Sequence, residues 1–147
     1  QGLLFFAGRD GVLTLNLPSM QEEIFRRRLK TGDFIWTQWK EPIIKALGTA
    51  GLADRMIQNL TALGIQSESF GVSTLRLVGH DQSLESKRCS ELVVDWQPDR
   101  LANQRELEKA LIDVARASRM DDWRTVLSDP LAGEVLESSL TRLSTKA

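Results

Sequence analysis

His80 and Cys89 are the first residues to question for chemistry, because each is the sole member of its type in this 147-residue chain and the two stand in the same polar stretch. A thiol–imidazole hydrolase needs a cysteine of depressed pKa, a histidine within hydrogen-bond reach and a third group to orient it. Nearness in sequence supplies none of these. Two soft ligands, even with Asp81 and Glu85 as weaker helpers, also fall short of the three or four that zinc requires. The expectation is an ordinary loop histidine and a half-buried cysteine, with no metal and no cofactor. Scattered carboxylates such as Asp95, Asp99, Asp121 and Asp122 could be gathered by folding into an acid–base pair, although adjacent Asp121 and Asp122 suit helix caps. Gly8-Arg9-Asp10-Gly11 and Gly48-Thr49-Ala50-Gly51 lack both the lysine of a phosphate loop and dinucleotide-binding spacing, and read as turns. No GxSxG, HExxH, DxDxDG or CxxC occurs.

Arg26-Arg27-Arg28 with Lys30 is the conspicuous basic cluster. On a helix, at about 100° per residue, three neighbouring arginines fan over roughly 200° and cannot face one phosphate row together. Glu22 and Glu23 stand four residues before Arg26 and Arg27, the favourable order for helical ion pairs. Arg28 is left inside the apolar arc of Met20, Ile24, Phe25 and Leu29. It must extend to solvent, pair with an acid from elsewhere or contact a partner. Trp36 and Trp39, three apart with Lys40 beside them, read as a pair on one helical face. They suit core packing first, and an interaction surface or base-stacking platform second.

The composition bounds the function classes. Nineteen Lys and Arg against twenty Asp and Glu leave a net charge of −1, which excludes a strong global attraction to nucleic acid or an anionic membrane. A lone cysteine excludes an internal disulfide. At this length the chain can hold its own core, and no apolar run approaches the roughly 20 residues of a membrane span. The chain begins at Gln1 and passes directly into apolar Leu3 to Ala7, which reads as a trimmed or matured product. A soluble protein is expected, with no compartment indicated beyond compatibility with the cytoplasm.

The positioning elements follow from periodicity and turn chemistry. Leu3 to Ala7 and Val12 to Leu17 flank Asp10-Gly11 and predict a β-hairpin. Leu3, Leu4, Phe5 and Phe6 put large apolar groups on both faces of the first strand, which asks for cover on two sides. Ser19 and Glu22 predict a capping box opening a helix that Gly32 ends. A short helix carrying Trp36 and Trp39 is broken by Pro42 and resumes over Ile43 to Leu47. Leu52, Met56, Ile57, Leu60 and Leu63 make a helical stripe stopped at Gly64. Phe70 to Val78 reads as a strand with a slip near Ser73 and Thr74, Gly79 to Ser90 as a polar loop, and Glu91 to Trp96 as a half-buried strand. Gln97-Pro98-Asp99 opens a long helix with Leu107, Leu111 and Val114 inward. Asp121 caps a turn holding Trp123, Val126 and Leu127, and Asp129-Pro130 starts the last helix, with Leu136, Leu140 and Leu143 on one stripe.

The expected architecture is one α+β domain over residues 1–147, with about four antiparallel strands in two hairpins and several helices packed mainly on one face. The order of elements recurs weakly between residues 3–64 and 68–143, without residue-level similarity. Three functions are weighed. The first is a non-enzymatic interaction or assembly module, an oligomer or adaptor, whose contact residues are Leu4, Phe6, Arg28, Trp36 and Trp39. The second is a nucleic-acid binder using Arg27, Arg28, Lys30, Trp36 and Lys40, which requires those side chains on one exposed face. The third is a small enzyme whose site is assembled in space as a pocket ringed by Asp, His80 and Arg side chains.

Overall fold

The computed structural model describes residues 3–8, 11–48, 51–97, 103–117 and 123–137. It is an α+β protein in which, among these residues, helix outweighs strand. Strands β1 (Leu3–Gly8) and β2 (Gly11–Asn16) form the expected hairpin, pairing Leu4 with Leu15 and Phe6 with Leu13. This hairpin is a two-stranded sheet of its own. The main sheet has three antiparallel strands in the order β3 (Trp36–Ala46), β5 (Thr74–Asp81), β4 (Ile65–Ser69), in place of the single four-stranded sheet expected.

Helix α1 (Leu17–Thr31) starts three residues earlier than the Ser19–Glu22 box predicts. Asn16 is the N-cap, its side-chain oxygen accepting the Ser19 N–H at 3.0 Å, and Pro18 fits the first turn, where no amide donor is needed. Gly32 ends the helix as expected, at φ 76°, with its N–H on the Arg28 carbonyl. Helix α2 (Ala53–Ala62) carries the predicted stripe, with Met56 and Leu60 buried on β4. The turn behind it places Gly64 at φ 88°, and a Cβ there would come within 3.1 Å of both Phe25 and Phe34.

Three segments correct the sequence reading, one of them Gly79 to Ser90, which is not a loop throughout but the end of β5, a turn and the start of a helix at Ser86. Trp36 and Trp39 lie on a strand, not a helix. Their spacing of three comes from a bulge: β3 pairs with β5 through Gln38 and again from Ile43, so residues 39–42 leave the ladder. Pro42, which has no N–H to donate, sits in that gap. Opposite it the chain steps over Val78, and β4 shifts register at the same place. The change of phase expected near Ser73 and Thr74 is instead a turn, since residues 70–73 lie between β4 and β5 and only Thr74 onward is strand. Glu91 to Trp96, read as a strand, is the second half of helix α3 (Ser86–Asp95). Cys89, Leu92, Val93 and Trp96 make a stripe at helical spacing facing the core, and Val94 is 58% exposed.

Gly79 closes the irregularity. A Cβ at this position would lie 2.7 Å from the Thr37 carbonyl oxygen and 2.9 Å from the Gln66 side chain. The first contact is with backbone, so the sheet must move to admit it. Gly79→Ala is expected to cost about 1–3 kcal/mol in chemical denaturation. A neutral result would show that β3 and β5 can separate there freely.

The core joins Leu75 and Leu77 of β5, Ile65 of β4, Leu60 of α2, Cys89 and Val93 of α3, Leu107 and Leu111 of α4 (Asn103–Ala117), and Phe25 of α1. The other side of the sheet keeps Ile44 and the Arg76–Glu68 pair at the surface. A second cluster packs Leu17, Met20 and Ile24 of α1 against Val126 of α5 (Trp123–Leu127) and Ala132 and Val135 of the helix described over 132–137. Helix α1 is thus covered on two flanks, and Arg28 lies on it. Leu140 and Leu143 of the expected last stripe lie outside the described residues.

Candidate functional site

Arg28 takes the option of pairing with distant acids. Its guanidinium is 1% exposed and donates Nη1 to Asp81 Oδ2 at 3.0 Å and Nη2 to Asp129 Oδ1 at 2.5 Å. The acids' remaining lone pairs are also used. Asp81 accepts the Ile35 N–H, the Ser83 N–H and the Ser83 hydroxyl, and Asp129 accepts the Leu131 N–H and the Gln82 amide. Gln21 of α1 reaches the Ser83 carbonyl. This network ties α1, the approach to β3, the end of β5 and the segment after α5 into one buried knot, whose charges are paired as burial demands.

Arg28 is therefore not a surface contact, which corrects its place among the partner-binding and nucleic-acid-binding residues. Arg26 pairs with Glu22, and Arg27 with Glu23 and Glu134. Lys30 and Lys40 are exposed on separate elements. Because Arg28 is internal, Arg27, Arg28, Lys30, Trp36 and Lys40 do not form one exposed basic face. Trp36 is half-buried against Phe34, with ring centres 5.4 Å apart. The side chains of Leu4 and Phe6 lie outside what the structure describes, although their strands are paired as stated above.

The knot fixes the turn that follows β5, and that turn assembles a second constellation. The His80 ring is buried, with Nδ1 2.7 Å from the Asp81 carbonyl oxygen and Nε2 2.6 Å from the hydroxyl of Ser86, the first residue of α3. A carbonyl can only accept, so Nδ1 carries the proton. Burial lowers the His80 pKa, which the contact with Asp81 only partly opposes, and the ring is neutral at pH 7. Nε2 then offers its lone pair to the Ser86 O–H. The Trp39 ring lies 5.2 Å from the His80 ring, and its indole N–H donates to the Ser86 carbonyl.

The bulge in β3 gives this pair a groove. Residues Gln38 to Ile43 form one side, and Ser86, Lys87, Ser90 and Val94 of α3 the other, of an open groove of about 650 Å³. Trp39 and Lys40 thus line a concave surface. Lys45 ties β3 to α3 by donating to the Val94 carbonyl at 2.9 Å; burial lowers its pKa, with Asp95 acting in the opposite sense.

Cys89 is not the partner of His80. It is buried in the core, and burial pushes its thiol pKa up to about 12, so the reactive thiolate is scarce at neutral pH. Among the described residues no group of three or more His, Cys, Asp or Glu could hold a metal, and no helix is long and apolar enough to cross a membrane. Ser86 was absent from the residues singled out by sequence. The signal was His80 at a strand end and Ser86 at a helix start, visible only once Gly79 to Ser90 is divided into strand, turn and helix. The fold and these sites define an α+β protein with a buried ion knot and a serine–histidine pair beside a groove. The chain matches no known family model and none of the curated proteins with which it was compared.

Proposed function

We propose that the protein is an assembly module that associates with a second copy of itself through the β1–β2 hairpin. The observation carrying this reading is that the hairpin makes a sheet of its own: among the described residues no third strand joins either edge. An isolated two-stranded ribbon is marginal in water, and its outer edges offer unpaired backbone donors and acceptors to another strand. The pairing of Leu4 with Leu15 and Phe6 with Leu13 adds four large apolar residues to that ribbon. Edge pairing with a second hairpin would extend the ribbon into a wider sheet and satisfy those backbone groups. Leu4 and Phe6 are the contact residues in this reading, and Arg28 is not.

The test is the double variant Leu4→Glu/Phe6→Glu. It is expected to sediment as a monomer while wild type sediments as a dimer, with far-ultraviolet circular dichroism recorded on both to show that the fold is kept. Identical sedimentation of the two proteins would remove the hairpin from the interface.

A further inference from the structure

We propose that Ser86 is an acyl-accepting nucleophile with His80 as its general base, and that the groove beside them binds small carboxylic esters for hydrolysis. The proposal does not depend on the assembly reading.

Three roles must be filled for such chemistry, and each has an occupant. The nucleophile–base hydrogen bond is the 2.6 Å contact between Ser86 and His80 Nε2. The orienting group, often a carboxylate, is here the Asp81 peptide carbonyl at 2.7 Å from Nδ1. That carbonyl is held in turn, because the same residue's side chain is locked by Arg28, Ile35 and Ser83. For the oxyanion, α3 has no side-chain cap at its start, so the first-turn amides, Lys87 among them, have no acceptor within the helix. Ser86 lines the groove, where Pro42, Ile43 and Val94 offer an apolar bed for an acyl chain. Trp39, touching both the His80 ring and the Ser86 carbonyl, couples that bed to the pair.

The reaction balances with water as the only co-reactant. Ser86 Oγ bonds to the ester carbonyl carbon as its proton passes to His80 Nε2. Collapse of the adduct breaks the bond to the alkoxy oxygen, which leaves as the alcohol with that proton. Water then attacks the acyl-serine, giving its proton to Nε2. The acid departs as Oγ recovers the proton. No electron transfer is involved.

The experiment combines labelling and turnover on the full chain. A fluorophosphonate probe is expected to add to the peptide containing Ser86, and p-nitrophenyl acetate to be hydrolysed. Ser86 is exposed, so Ser86→Ala should keep the fold while lowering turnover at least about a hundredfold. Cys89→Ala, which removes the only thiol, should retain turnover and so exclude acyl transfer to sulfur. No label on Ser86, or a Ser86→Ala protein as active as wild type, overturns the proposal.

Discussion

Replacing Arg28 with alanine is expected to lower stability by about 3–5 kcal/mol, because it strands two buried carboxylates without their cation. A domain of this kind has only about 5–15 kcal/mol in total, so the variant should lose about a fifth or more of its denaturation midpoint in urea. The cost comes from the partners left behind. Asp81 is fully buried and keeps its bonds to Ile35 and Ser83, so it cannot turn to water without undoing the turn before α3. Arg28→Met combined with Asp81→Asn and Asp129→Asn removes the charges together and should recover much of the loss. Arg28→Lys should stay impaired, since one ammonium cannot span two acids as a planar fork does. A loss for Arg28→Ala below about 1 kcal/mol would put the pair in the energetic class of surface bridges and contradict its burial.

Phe25→Ala is the second large effect, expected at about 3–5 kcal/mol. Phe25 has no exposed surface, and it lies against the turn at Gly64, where the absence of a side chain lets its ring approach. Truncation leaves a cavity that the surrounding backbone cannot easily fill. Thermal unfolding should shift down by about 6–20 °C at this chain length. Phe25→Leu, which keeps most of the volume, should cost less than half as much. Equal losses for the two variants would mean that ring shape, not volume, matters at this contact.

The parts of the fold legible in the sequence are those whose signal is local. Gly32 and Gly64 mark helix stops because left-handed φ is a property of one residue, and both stand at positive φ. The stripe through Met56 and Leu60 and that through Leu107 and Leu111 repeat at helical spacing, and both became helices. The failures arise where two periods fit the same residues. Trp36 and Trp39 carry a spacing of three only because residues 39–42 bulge from β3. Leu92, Val94 and Trp96 alternate like a strand, yet adding Cys89 and Val93 makes them a helix face, and the exposure of Val94 separates the two patterns. The sites were less legible still. Arg28 meets acids 53 and 101 residues away, and no local pattern encodes such a meeting. His80 and Ser86 are six apart, but the turn that brings them together is held by that same distant ion knot.

Assembly through the opening hairpin is tested most directly by the molar mass of the undisturbed protein, followed by light scattering over a dilution series. The expected result is a mass near twice 16.5 kDa that falls toward 16.5 kDa only on dilution. A value of 16.5 kDa at every concentration would contradict it.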